Sequence, residues 1–182
     1  IVLGVLSIYV AMILLGYSKA DPGWSHATEV ARVSNPGGRF GAWLADVLLY
    51  LFGGSAWWLV IFLGYGIAWG FRRFREEFKA DKRSFAIVMS GFLVVLLASA
   101  ALESLRFHTT GEGLPLAPGG LIGVELGNAA RTYLGFTGGT LVLLAMIAGG
   151  LSLFTGISWL MATERLGQWI EDAWARTQAT YY

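Results

Sequence analysis

Two carboxylates interrupt stretches of this chain that are otherwise almost free of acids. Asp46 lies near the start of "GAWLADVLLYLFGGSAWWLVIFLGYGIAWGF" and Glu103 in the last turn of "SFAIVMSGFLVVLLASAALESL". Acids inside membrane-spanning stretches are costly and mark proton relays or ion pathways by default. The positions favour a plainer role, in which both acids sit at the outer ends of their helices and reach headgroups or water. A transporter would carry charge at mid-membrane or beside a broken helix. The nearest candidate breaks, Gly53-Gly54 and Gly149-Gly150, have no charged neighbour at mid-depth. The two histidines, His26 and His108, stand alone in separate loops. A zinc site needs more ligands in register, so both are expected to be solvated and no metal is expected.

Other chemistries are missing by composition. There is no cysteine, which removes disulfides, thiolate metal sites and thiol nucleophiles. No glycine is followed by lysine, so no phosphate-cradling G-x-x-x-x-G-K-[ST] loop exists. G-x-S-x-G and H-E-x-x-H are absent as well. No catalytic residue and no cofactor-binding residue is expected in this chain.

The positive charge is concentrated. "FRRFREEFKADKRSF", Phe71 to Phe85, holds Arg72, Arg73, Arg75, Lys79, Lys82 and Arg83, six of the thirteen Lys and Arg. Glu76, Glu77 and Asp81 offset half of that charge, and Phe71, Phe74 and Phe78 form an apolar stripe at helical spacing. A surface that tracks nucleic-acid phosphates needs more charge and no such stripe. A helix lying at the membrane surface, with Arg and Lys near anionic headgroups, fits the pattern.

These residues are positioned by an apolar framework. The 182 residues are 55% hydrophobic and 14% charged, with a mean hydropathy of +0.60. Soluble domains carry about a quarter charged residues, so the chain is an integral membrane protein. Eight Trp and seven Tyr suit membrane-interface belts. The expected fold is all-α, with four transmembrane helices at about 1–17, 47–71, 84–105 and 140–162, forming a membrane domain over 1–163. The first run opens without an initiator Met, and a few upstream residues are expected to complete it. The second run is longer than a bilayer requires, so its first turns are expected outside the hydrocarbon.

Between the spans, Asp21-Pro22-Gly23 and Asn35-Pro36-Gly37-Gly38 carry turn chemistry. A second long connection follows Leu105. From Leu121 to Leu134 it places Ile122, Leu126, Ala129, Ala130 and Tyr133 on one helical face, with Glu125, Asn128, Arg131 and Thr132 largely opposite. That pattern predicts an amphipathic helix on the membrane or on neighbouring helices. Residues 164–182 form a further interfacial amphipathic helix leading to a linker, its apolar face made by Leu166, Trp169, Ile170, Ala173 and Trp174.

Basic residues stay in cytoplasmic loops. The connection between spans two and three has six Lys/Arg, the loop before span two has three (Lys19, Arg32, Arg39) and the loop after span three has two (Arg106, Arg131). Both chain ends are therefore expected on the cytoplasmic side. Small residues at four-residue spacing let helices approach closely. Gly119, Gly123 and Gly127 form such a series, and Gly66 with Gly70 and Gly135 with Gly139 form pairs, all expected at helix contacts.

Several segments, in order, resemble the N-terminal membrane domain of the FtsK/SpoIIIE family of bacterial DNA translocases. They are "GYSKADPGWSHA", "NPGGRFGAWLADVLLYLFGGSAWWL", "GGLIGVELGNAARTYLGFTGGTLVLL" and "GGLSLFTGISWLMATERLGQWIE". The resemblance implies a membrane anchor in the bacterial inner membrane at the division septum. It also implies self-association, with a hexamer as the assembly, and contacts with other divisome membrane proteins. ATP, magnesium and DNA would belong to a motor domain further along the chain. The rival readings are a small transporter or channel subunit using Asp46 and Glu103, and a membrane enzyme acting on lipids, for which no catalytic signature is present.

Overall fold

The computed structural model describes residues 2–28, 32–75, 85–107 and 113–156, with 167, 168 and 174; at 68–75 it describes the backbone alone. Lys79, Lys82, Arg83 and nearly all of the tail helix expected over 164–182 lie outside the described residues, as does the end of the fourth expected span. All regular structure among the described residues is helical.

Helix α1 (Val2–Leu15) contains no charged residue, and in lipid only a helix satisfies the backbone of such a segment internally. Its 14 residues rise about 21 Å. The second apolar run is interrupted. Helix α2 (Gly38–Phe52) stops at Gly53, a 3-10 turn spans Gly53–Ala56, and α3 (Trp57–Arg75) begins afresh. The stop is imposed by Gly53, whose φ of 60° a side chain would strain. Helix α3 alone rises about 28 Å, enough to approach the ~30 Å hydrocarbon thickness without α2. Arg72 and Arg73 fall in its final turns and Arg75 ends it.

Helix α4 (Phe85–Arg106) and α5 (Gly120–Thr155) are also long and apolar enough to cross a membrane. Helix α5 is bent at Gly135, where φ is 70° and ψ 174°. Ala130 and Gly139 are nine residues apart, about 13.5 Å along a straight helix. Yet a Cβ on Gly139 would stand 3.2 Å from the Ala130 carbonyl oxygen. The two halves, 120–134 and 136–155, therefore fold sharply on one another.

Three apolar clusters join the helices. Val10, Ile13 and Leu14 of α1 pack with Ala45, Leu49 and Ala56, and Leu114 of the second long connection joins them. Ala98, Ala101 and Leu105 of α4 meet Leu143, with Ala130 and Ile147 alongside. At the opposite end of the bundle, Phe92, Leu96 and Phe154 pack with Trp58, Phe62 and Tyr65. There Phe62 stacks on Phe92 at 4.3 Å and the Tyr65 hydroxyl donates to the Thr155 carbonyl at 3.2 Å. The Ser7 hydroxyl ties α1 to α3 by donating to the Val60 carbonyl at 3.1 Å. Gly4 lies beside Ile67, and Gly66 beside Leu3. The start of α1, the end of α3, the start of α4 and the end of α5 thus share one end of the bundle, and both long connections share the other.

Candidate functional site

The loop between α1 and α2 folds around three polar side chains. Asn35, buried, donates through Nδ2 to the Ile13 carbonyl at 2.9 Å and accepts the Gly37 N–H at 2.9 Å. It thereby satisfies one of the carbonyls left open at the end of α1 and closes a turn of its own. Asp21, also buried, accepts the backbone N–H groups of Ser34 at 2.7 Å and Asn35 at 2.8 Å.

Asp46 projects from α2 into this loop and is fully buried. Its Oδ2 accepts the Ser25 N–H at 2.6 Å, and its Oδ1 accepts hydroxyls from Ser25 at 3.0 Å and Tyr17 at 3.1 Å. Gly23 makes room: a Cβ there would stand 2.6 Å from the Asp46 carboxyl. Tyr17 lies beyond the end of α1. Burial first, then the charge and hydrogen bond of Asp46, push its phenol well above the usual range, so it remains a donor at physiological pH.

Two expectations change here. Asp46 does not reach headgroups or water, because the loop supplies its donors and covers it. His26, though its side chain stays 29% exposed, is held by partners at both ring nitrogens. Its Nε2 lies 2.9 Å from the Asp21 carbonyl and its Nδ1 lies 2.9 Å from Ser25 Oγ and 3.8 Å from Asp46 Oδ1. A serine, a histidine and an aspartate in contact invite comparison with a hydrolytic triad. The geometry excludes one: a triad imidazole bridges Ser and Asp through its two opposite nitrogens. Here both partners lie on the Nδ1 side and the carbonyl of Asp21 occupies the other nitrogen. No cluster of three metal-ligating side chains occurs among the described residues.

Glu103, half-buried on α4, performs a related task at the interrupted helix. Its Oε1 accepts the Gly54 N–H at 2.9 Å; its Oε2 accepts the Ser55 N–H at 2.9 Å and the Ser55 hydroxyl at 2.8 Å. These are N–H groups that a helix start leaves open. The carboxylate expected to reach water instead holds the break between α2 and α3. One turn later, Arg106 donates through Nε to Thr140 Oγ1 at 3.1 Å and lies 4.4 Å over the Phe136 ring. The last turn of α4 therefore grips both helix irregularities, at Gly53 and just beyond Gly135. Replacing Glu103 with glutamine should lower stability by about 1–3 kcal/mol. Both oxygens face backbone N–H groups, so an amide nitrogen finds a donor whichever way it turns. Thermal unfolding in detergent measures the loss, and an unchanged midpoint would show that Glu103 does not hold the break.

The glycines divide by location. Gly119 and Gly123 would each drive a Cβ into the Ala100 carbonyl, and a Cβ on Gly127 would stand 3.0 Å from that of Ala101. Gly53 lies against Gly119, and Gly120 against the Leu51 backbone. Gly66 meets only the tip of Leu3, and Gly135 has nothing within 4 Å. Gly70 falls in α3, with its surroundings outside the description. In the half-helix 120–134 the docked face is the glycine face. Leu126 is exposed and Tyr133 is 85% exposed, so of the two placements expected for the apolar row these side chains take the outward one, while Ala130 packs beside Ala98 and Leu143. Backbone-to-backbone contact with α4 is available only on the side that lacks side chains.

The signals for Asp21, Ser25 and Asn35 were present as turn residues whose side chains bond local backbone. What the sequence concealed was that Asp46 and Tyr17 share them.

The chain matches the family model described as the 4TM region of DNA translocase FtsK/SpoIIIE over residues 1–167. It is 46% identical over 164 residues to DNA translocase FtsK 2 of Ralstonia nicotianae, covering 87% of this chain and 21% of that protein. It is 36% identical over 164 residues to DNA translocase FtsK of Shewanella oneidensis, covering 90% of this chain and 18% of that protein. The DNA translocase FtsK of Vibrio parahaemolyticus is 38% identical over 168 residues, covering 91% and 16%. The chain thus spans about a fifth of the length of these relatives. No solved structure matches it. With the helical membrane fold and the matched length in agreement, the chain belongs to the family of FtsK/SpoIIIE membrane domains, the 4TM region of these DNA translocases.

Proposed function

We propose that this chain anchors an ATP-driven DNA motor to the cytoplasmic face of the bacterial inner membrane at the division septum. In this reading it associates with further copies of itself, a hexamer being the assembly implied, and with other membrane proteins of the divisome. ATP, magnesium and DNA are handled by the motor and not by these residues. The observation that carries the reading is the layout of the bundle. The first turns of α1, the basic end of α3 with Arg72, Arg73 and Arg75, and the end of α5 lie at one end. With that end cytoplasmic, as the positive charge favours, a motor following α5 is on the side where DNA is.

The closed hydrogen bonding of Asp46 and Glu103 supports an anchor over an ion-coupling subunit. Carboxylates that bind and release ions exchange partners, whereas every oxygen of these two is held by a donor of the same chain. A fluorescent fusion of this chain should concentrate at midcell in dividing bacteria, and the purified chain should neither hydrolyse ATP nor bind DNA. Fluorescence spread evenly around the membrane, from a chain that stays monomeric in detergent, would overturn the proposal.

A further inference from the structure

Helix α2 is placed across the end of the bundle. Gly41 precedes Gly53 by twelve residues, about 18 Å along a straight helix. Ser7 is level with Val60, so Ile13, six residues on, is level with the Gly53–Ala56 turn. Yet a Cβ on Gly41 would stand 2.9 Å from Ile13 Cγ2. A straight continuation of α3 forbids that contact; α2 must turn over the end of α1.

One face of α2 is occupied: Gly41, Ala42, Ala45, Asp46 and Leu49 are buried. The other carries Phe40, Trp43, Val47 and Tyr50, spaced three and four apart in a single row. Phe40 is 63% exposed and Trp43 43% exposed, and their rings stack at 6.2 Å. Trp24, from the preceding loop, joins the row edge-on to Tyr50 at 5.1 Å and is itself 55% exposed. Arg39 is exposed at the head of the row. Asp21 and Asp46 are buried, so among the described residues of 16–52 no exposed acid accompanies this cation.

We propose that this row is a lipid-binding surface: α2 lies in the headgroup layer at the Gly53 end of the bundle, its aromatic rings at the glycerol–acyl boundary and Arg39 against anionic headgroups. Three observations converge on lipid as the occupant. The row ends at Tyr50, just ahead of the Gly53–Ala56 turn that opens the spanning helix α3, at the height where headgroups must lie when α3 crosses. Trp and Tyr combine an apolar body with a polar edge, the chemistry of that boundary. The charge complements anionic lipid, with no exposed acid beside it among the described residues. The row is also one side chain wide, which suits an interfacial helix.

The test exploits the absence of cysteine. A nitroxide is attached to Trp43→Cys and, separately, to Phe40→Cys in the full chain, reconstituted at low protein density in phosphatidylethanolamine–phosphatidylglycerol vesicles. Leu144→Cys, exposed on the spanning half of α5, reports the hydrocarbon. Spin-label accessibility to oxygen and to a water-soluble nickel chelate should place positions 43 and 40 about 5–10 Å below the phosphates and 144 far deeper. Arg39→Gln, or neutral phosphatidylcholine in place of phosphatidylglycerol, should move label 43 toward water. Three outcomes would overturn the proposal: a label shielded from both reagents, meaning that protein covers the row; a depth equal to that of position 144; or full nickel access with no oxygen enrichment. Parent-like thermal midpoints in the labelled variants keep each outcome decisive.

Discussion

Replacing Asp46 with alanine should cost the domain about 3 kcal/mol or more and free the loop between α1 and α2. The substitution removes the acceptor for the Ser25 N–H and for two hydroxyls, and it empties a fully buried site. The hydroxyls can redirect, Ser25 toward His26 Nδ1 at 2.9 Å and Tyr17 toward water. The Ser25 N–H cannot, and leaving it unpaired accounts for much of the loss. Asp46→Asn should be far milder, near 1 kcal/mol. The amide can keep its oxygen toward the Ser25 N–H and turn its nitrogen to the two hydroxyls, which can accept. Tyr17→Phe, losing a single hydrogen bond, should also cost about 1 kcal/mol. Thermal unfolding in detergent gives the ranking, and limited proteolysis within residues 18–37 reports the loop directly. An Asp46→Ala variant as stable and as protease-resistant as the parent would remove Asp46 from its place at the centre of the loop. The ranking also separates structure from ion coupling, since a coupling carboxylate is disabled by asparagine as fully as by alanine.

The three buried or half-buried acids share one logic. Asp21, Asp46 and Glu103 each accept backbone N–H groups that irregular chain leaves open. Near a bilayer such groups have little water to turn to, and an unmet one costs several kcal/mol. Charge-assisted acceptance by a carboxylate is stronger than acceptance by a neutral group. The loop between α1 and α2 and the Gly53–Ala56 turn are therefore each held by carboxylates, Asp21 from within the loop, Asp46 from α2 and Glu103 from α4. Acids near a membrane can be structural because the irregular backbone around them is the more expensive alternative.

Much of the framework was legible because apolar run length and turn chemistry are local properties. The helical class, the long apolar runs and the two Pro/Gly connections all follow from spacing within a few residues. The break at Gly53 was visible only as a glycine pair, and nothing local distinguishes it from Gly149-Gly150, where α5 continues unbroken. The difference lies in partners: Gly53 is met by Gly119 and its turn is held by Glu103, 48 and 49 residues on from the groups it binds. The same limit hid the partners of Asp46, 21 and 29 residues away. In the half-helix 120–134 spacing left two placements open for the apolar row, on the membrane or on neighbouring helices. The glycine row, expected at a helix contact, allows the closer approach to α4, and contact between backbones left Leu126 and Tyr133 outside.

Gly119→Ala should be among the most damaging single-methyl additions in the domain, at about 3 kcal/mol, whereas Gly149→Ala should be neutral or stabilising by up to about 1 kcal/mol. At Gly119 two costs combine. Its φ of 79° places it in the left-handed region, which costs a side chain about 1–2 kcal/mol. The new Cβ would also overlap the Ala100 carbonyl and close on the Ser104 nitrogen at 3.0 Å. Backbone cannot rotate aside, so α5 would have to back away from α4, which adds about 1–3 kcal/mol of overpacking. At Gly149 the backbone is helical and nothing lies within 4 Å, so the methyl gains helix propensity and meets only open space. Gly135→Ala separates the two terms. It has the positive φ without the neighbours, so it should cost only the strain, about 1–3 kcal/mol, and act on the bend in α5 rather than on its contact with α4. Unfolding midpoints of the three variants should order as 149 above 135 above 119. If Gly119→Ala matched the parent, close backbone contact between α4 and α5 would not be what fixes the start of α5. If Gly149→Ala were as harmful as Gly119→Ala, a surface left open within one chain would be filled in the assembled protein, and that half of α5 would be a contact between copies.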